Sequence, residues 1–98
     1  MAVKHYIAVI HKEPGSAFGV SFPDVPGVIA SAGSLDSALD EARDALAFAA
    51  EDWQALTGEP FPLPRTLDAL HDDARFRESM SGAIVAAVPL AVGLGKAA

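Results

Sequence analysis

The chain has 98 residues, of which seven are Lys or Arg and thirteen are Asp or Glu, so its formal net charge is −6. This length suits a single domain with a modest core, and the negative charge disfavours direct binding to the phosphates of nucleic acids. The absence of cysteine excludes disulfides and thiolate metal sites and favours a cytoplasmic location. We expect neither a signal peptide nor a membrane-spanning segment, because the apolar runs near both ends are too short.

Three segments with strand character come first. Residues 3–11 are rich in β-branched and aromatic side chains and lead into a Pro-Gly turn signal. Residues 17–22 alternate between large and small side chains, as in a half-buried strand. The large ones share one face: Phe18, Val20 and Phe22. The short loop between these segments predicts an antiparallel hairpin, and residues 28–33 predict a third strand.

A long amphipathic helix is predicted over residues 35–56. Ser34 stands where an N-cap belongs and Gly58 where a C-cap belongs. Apolar side chains recur every three or four residues and should form one stripe facing the core. The stripe consists of Leu35, Leu39, Ala42, Leu46, Ala49, Trp53 and Leu56. We expect Trp53 to lie in the core.

The remaining sequence predicts a connector, short helices and a last strand. The prolines of EPFPLP favour an extended connector, and Thr66 is placed to cap a short helix, followed by a further turn or two. Residues 83–90 are almost wholly apolar, which favours a strand buried on both faces. The order β-β-β-α-α-β therefore predicts an α+β fold in two layers, with an antiparallel three-stranded meander, a later strand and one long helix packed on the sheet.

The hexamer FPDVPG, from Phe22 to Gly27, raises the question of whether Asp24 is catalytic. Metal-dependent hydrolysis needs further carboxylates beside it, and the predicted strands supply none. Pro23 and Pro26 remove backbone donors, Asp24 can bond to the following amides, and Gly27 permits a positive φ. The hexamer therefore favours a structural corner, with a small metal-dependent nuclease as the alternative.

No catalytic residue, metal site or cofactor site is predicted. His5 and His11 share a strand face but lie roughly 20 Å apart at the usual rise per residue, and His71 stands alone. Neither a nucleophile motif nor a phosphate-binding glycine loop is present.

The polar face of the long helix is strongly acidic. Residues 34–57 contain six acidic residues and one basic residue, Arg43, so this segment carries a net charge of −5. Four of the acids cluster opposite the apolar stripe: Asp36, Asp40, Asp44 and Glu51. This pattern fits either a solvated face or a surface that steers a basic partner. Phe48 projects off the stripe beside these acids and favours a binding surface, although packing under the connector is an alternative.

Taken together, these motifs resemble the HicB-like antitoxins of bacterial type II HicA–HicB toxin–antitoxin pairs. The resemblance covers about residues 5–90 and is most specific at residues 22–27 and 34–46. It implies a partial RNase H-like fold that binds a small, basic, mRNA-cleaving HicA-type toxin. It also implies that neutralisation works by covering the active face of the toxin and competing with RNA. The acids and Phe48 of the helix are the toxin-binding residues that we expect.

The resemblance also implies an organisation for the chain. We expect a toxin-neutralising domain over residues 1–92 and a linker or tail over residues 93–98. Family members commonly continue into a DNA-binding domain that represses their own operon, so we expect DNA binding and autoregulation only through such a C-terminal domain, which these 98 residues do not contain. A homo-oligomer, dimeric or larger, is expected. A ligand-sensing or oligomerisation module is a further alternative to the antitoxin function.

Overall fold

The computed structural model describes residues 4–12 and 14–90. In this part of the chain, the strands form one antiparallel sheet in the order β3-β2-β1-β4. The elements in chain order are β1 (His5–Lys12), β2 (Phe18–Ser21), β3 (Ile29–Ala32), α1 (Leu35–Thr57), α2 (Leu67–His71), α3 (Ala74–Ser79) and β4 (Ile84–Pro89). The predicted meander, later strand and long helix are confirmed.

The first hairpin forms as its alternation predicts. Val20 and Phe22 are buried and Phe18 packs against the same core, while Gly19 and Ser21 turn to the other face. Because side chains alternate between the faces of a strand, this register places all three large side chains toward one helix.

Both predicted caps of α1 are confirmed. The Ser34 hydroxyl accepts a hydrogen bond from the backbone N–H of Ser37 at 3.2 Å. At the other end, Gly58 adopts a left-handed conformation with φ of 77°, and its N–H donates to the Gln54 carbonyl at 2.8 Å. These caps satisfy backbone groups that a helix leaves unpaired at its ends.

The main core lies between α1 and one face of the sheet. The helix contributes two buried alanines, Ala38 and Ala42, which let it approach the strands closely, and then Leu46. The sheet and the corner after β2 supply the remaining buried side chains: Tyr6, Ala8, Ile10, Val20, Phe22, Val25, Val28 and Val88.

The apolar stripe fails as a prediction at the end of α1, where Leu56 is 82% exposed. Residues 54–57 are all exposed, whereas Leu46 of the same stripe is buried. The core therefore does not cover the last turn of α1. Trp53 is half-buried and not a full core residue, and it packs edge-on against Phe61 of the connector with ring centroids 5.3 Å apart.

The predicted two layers are incomplete, because α2 and α3 cover part of the opposite face of the sheet. Leu70 and Phe76 of these helices form a second buried cluster with Val9 of β1, and Ile7 and Val85 pack against it. The reason is visible in β1, where apolar side chains point to both faces. A partial third layer is thus present over β1 and β4.

The prediction that β4 is buried on both sides is also wrong in part. The strand lies at an edge of the sheet, and Ile84 is 45% exposed. Its faces are nevertheless contacted from both sides, since Val88 joins the main core and Val85 packs on the second cluster. The apolar run reflects these two contacts and not a central position.

Among the described residues, no helix combines the length and the apolar character needed to span a bilayer.

Candidate functional site

The hexamer FPDVPG folds into two consecutive turns. The Val25 N–H donates to the Phe22 carbonyl at 3.1 Å, and the Val28 N–H donates to the Val25 carbonyl at 3.2 Å. Pro23 and Pro26 each follow the residue that opens a turn, where the fixed φ of proline fits. Gly27 has φ of 96° in the second turn, a value that favours glycine.

Asp24 points from this corner to the connector between α1 and α2. Its Oδ2 accepts the backbone N–H of Arg65 at 2.7 Å, and its Oδ1 accepts Nε–H of the same residue at 2.6 Å. The expectation that Asp24 bonds to the amides that follow it is therefore wrong. The Asp24 side chain is only 7% exposed, so the corner holds a nearly buried carboxylate that is neutralised by an arginine 41 residues later.

Two more contacts extend this arrangement. Nη1 of Arg65 donates to Oδ2 of Asp73 at 3.1 Å, which links the connector to the start of α3. The Tyr6 hydroxyl donates to the Pro62 carbonyl at 2.6 Å and ties the connector to β1. We call Asp24, Arg65 and Asp73 the corner network. It fixes a connector that has no helix or strand of its own.

The charges of the corner network support one another. The hydrogen bonds that Arg65 donates to Asp24 and Asp73 raise its pKa above the usual value. The pKa of Asp73 is lowered, first by the Arg65 side chain and then by the backbone N–H of Arg75. Burial raises the pKa of Tyr6, and the negative charge of Asp24 adds to this effect.

This arrangement uses Asp24 to hold an arginine, and both carboxylate oxygens are engaged in doing so. Within residues 4–12 and 14–90, no group of three or more His, Asp or Glu side chains is placed to hold a metal ion. His11 contacts the Ser79 carbonyl through Nε2 at 2.7 Å, and His71 packs edge-on against Phe76. Asp24, His11 and His71 thus each make a contact that joins separate parts of the fold.

The acidic residues of α1 all lie on its exposed side. We define the acidic surface as Asp36, Asp40, Asp44, Phe48 and Glu51, each of which is exposed. Phe48 is 71% exposed, so it does not pack under the connector. Arg43 pairs with Asp40 at 3.7 Å, but both side chains are mostly in water, where such pairs contribute little. The acidic surface is therefore open to a partner along several turns.

Sequence reasoning missed Arg65 and Asp73 as members of the corner network. Arg65 directly follows the proline-rich connector, and it is the first basic residue after the helix. The sequence offered one signal for a partner to Asp24, since Arg65 is the only basic residue between α1 and α2.

Comparison with known proteins places these features in a family. The family model described as the HicB-like antitoxin of a bacterial toxin–antitoxin system matches residues 6–94. None of the curated proteins matches the chain significantly.

Solved structures give the same assignment. The N-terminal domain of the Burkholderia pseudomallei antitoxin HicB is 28% identical, with a TM-score of 0.66 over 86% of this chain and 94% of that one. The B. pseudomallei antitoxin HicB itself is 27% identical, also with a TM-score of 0.66, over 86% of this chain, and the match spans 61% of that longer chain. A chain of the HicA3 and HicB3 toxin–antitoxin complex is 26% identical, with a TM-score of 0.65, over 86% of this chain and 94% of that one.

The fold agrees with these relatives in its single antiparallel sheet and its long helix. Because the family model matches most of its length, this chain belongs to the HicB-like antitoxin family.

Proposed function

We propose that the chain is an antitoxin that binds a HicA-type toxin and neutralises it by covering its RNA-binding active face. The observation that carries this proposal is the family match over residues 6–94. It is supported by the similarity to a chain of the HicA3 and HicB3 complex, in which a toxin and an antitoxin are bound to each other.

The acidic surface supports the same proposal on physical grounds. Residues 34–57 hold −5 of the total charge of −6, and the acids of the surface are exposed along α1. A concentrated charge of this kind raises the rate at which a basic partner meets the surface. Phe48 supplies an exposed aromatic anchor among these charges.

Neutralisation in this proposal is stoichiometric binding and not catalysis. The carboxylate that stood as a candidate for nuclease chemistry, Asp24, holds Arg65 in the corner network. Inhibition would therefore require the chain in a fixed ratio to the toxin.

Two further parts of the proposal come from the resemblance to the family. The chain assembles as a homo-oligomer, and any operon autoregulation is carried by a C-terminal DNA-binding domain outside the toxin-neutralising domain of residues 1–92. Residues 93–98, which we propose as a linker or tail, lie outside the described residues.

Co-expression tests the proposal directly. The small basic HicA-type protein encoded beside this chain should arrest growth when produced alone, and the chain should restore growth and co-purify with it. In vitro, RNA cleavage by the toxin should fall linearly with added chain and stop near a fixed molar ratio. Continued cleavage with the chain in several-fold excess, or growth arrest that the chain does not relieve, would contradict neutralisation by binding.

A further inference from the structure

The edge formed by β3 is the least protected part of the sheet. β3 (Ile29–Ala32) pairs with β2 on one side, and within the described residues no strand lies on its other side. In an antiparallel strand, every second residue directs its N–H and C=O away from the neighbouring strand. Natural edge strands are usually protected by charges, prolines or bulges, and the sequence Ile-Ala-Ser-Ala contains neither a charge nor a proline.

The face of the sheet beside this edge is open as well. Ala30 and Ala32 pack under α1, whereas Ile29 and Ser31 point to the opposite face, which α2 and α3 leave uncovered at this end of the sheet. Ile29 is 72% exposed. A shallow groove of about 560 Å³ runs over this face, lined by His11, Gly19, Val20, Ser21, Ile29, Ala30 and Ser31. The small side chains leave room for those of an added segment.

The opposite edge, formed by β4, is better covered. Helices contact it from both faces, through Val88 on one side and Val85 on the other. It ends at Pro89, which has no N–H to donate to another strand. Of the two edges, β3 is therefore the one that combines free backbone groups with an open face.

The charge around β3 decides which kind of partner fits. α1 packs directly over β3 and begins three residues after it, so Asp36 lies in the first helical turn beyond the strand. A second copy of this chain that paired with β3 about a twofold axis would place its own α1 on the same face of the extended sheet. Two helices that each carry −5 would then repel one another. A positively charged partner would instead be attracted to α1.

We infer that β3 is a docking edge at which an extended segment of a basic partner protein adds as a fifth strand, with the acidic α1 alongside. Backbone hydrogen bonds to β3 supply the pairing, and Ile29 packs against the side chains of the added segment on the open face. This inference rests on the proposed function, because the basic partner is then the HicA-type toxin, and it deepens that function by naming the element that the toxin pairs with.

The test uses matched substitutions on the two edges. Ile29→Lys and Ile29→Glu change an exposed side chain on β3, and Ile84→Lys and Ile84→Glu make the same changes on β4. Both Ile29 variants should bind the toxin at least about tenfold more weakly, because each loses the apolar contact. The part of the loss shared by Lys and Glu measures packing, and their difference measures charge. The Ile84 variants should bind like the wild type.

Amide hydrogen exchange tests the backbone pairing directly and needs no substitution in the chain. Adding toxin should slow exchange of the outward amides within residues 29–32 and leave those within residues 84–89 unchanged. Unchanged exchange in β3, or Ile29 variants with wild-type affinity, overturns the inference while leaving the proposed function intact. Slower exchange in β3 as the chain alone is concentrated would assign the edge to a second copy and also overturn it. A wild-type chain that does not bind the toxin overturns the proposed function together with the inference.

Discussion

At the scale of single residues, Asp24 shows how a carboxylate in a sequence motif acquires its role from a distant partner. The corner FPDVPG presents it at the end of β2, and Arg65 reaches it from the connector with two short hydrogen bonds. The proline-rich connector cannot form a regular hydrogen-bonding pattern of its own. Its position is set instead by Asp24 and by the Tyr6 hydroxyl.

Replacing Asp24 should therefore destabilise the fold. Asp24→Ala removes the acceptor of a charged hydrogen bond and leaves Arg65 without its nearly buried partner, which should lower the free energy of unfolding by about 2 kcal/mol. Urea denaturation measures this change. Asp44→Ala, which removes an exposed carboxylate of α1, is the matched control and should stay within about 0.5 kcal/mol of the wild type. Equal stability of the two variants would show that the corner network does not hold the connector.

Asp73 should make stability depend on pH in the acid range. Its pKa in the folded chain is lowered from the usual value of 3.8 by Arg65 and by the Arg75 N–H. The unfolded chain thus takes up the proton first as the pH falls. The stabilisation is present above the usual pKa and is lost as the pH drops through the folded-state value.

The measurement for Asp73 is the urea midpoint, followed from about pH 6 downward through the acid range. Asp73→Asn should start with a lower midpoint at the upper end and lose less of it on acidification. A wild type and variant whose midpoints fall in parallel would show that Asp73 does not contribute to the acid sensitivity.

At the scale of elements, α1 shows where local sequence rules succeed and where they stop. The cap residues Ser34 and Gly58 act on backbone groups within four residues, so the sequence alone predicts both ends. The stripe predicts which side of the helix is apolar. It does not reveal how far the sheet extends beneath the helix, and the same periodicity therefore includes both Leu46, which is buried, and Leu56, which is exposed.

This difference in burial predicts that replacing leucine by alanine destabilises the fold more at Leu46 than at Leu56. Leu46→Ala leaves a cavity in the main core and should lower the free energy of unfolding by about 2–5 kcal/mol. Leu56→Ala, in the overhanging end of the same helix, should change it by less than about 0.5 kcal/mol. Thermal or urea unfolding of both variants gives the comparison. A similar loss for both would mean that the end of α1 is covered in solution.

At the scale of the whole molecule, charge is distributed unevenly. α1 lies on one side of the sheet with most of the net charge, while the layer of α2 and α3 on the other side mixes acids with Arg75 and Arg77. Such a separation gives the molecule one strongly negative side. A basic partner should therefore arrive from the side of α1.

The on-rate for toxin binding should depend on the negative charge of the α1 side more than on that of the opposite side. Reversing Asp40 and Asp44 to lysine should slow association several-fold at about 10 mM salt, where screening is weak, and have little effect at about 500 mM. Reversing Asp68 and Glu78, two exposed acids of the opposite layer, is the control and should slow association less. Stopped-flow kinetics makes the comparison. Equal on-rates for the two double variants at low salt would show that the acidic surface does not steer the toxin.

The long-range parts of the fold mark the limit of what the sequence could predict. The order of elements, the hairpin and the acidic surface follow from local patterns. The bond between Asp24 and Arg65 joins residues 41 positions apart, and no periodicity encodes such a pair. The partial third layer had a signal in the apolar side chains Ile7 and Val9 on the second face of β1, but the short helices that cover them are too brief to show a clear stripe.

Trp53 gives the molecule a built-in optical reporter. It is the only tryptophan of the chain, and its indole rests against Phe61, the same ring that contacts Tyr6. Any event that lifts the connector away would hydrate the indole and move its fluorescence emission to longer wavelengths. The state of the connector can thus be followed in the unlabelled protein, in real time, while a toxin is added.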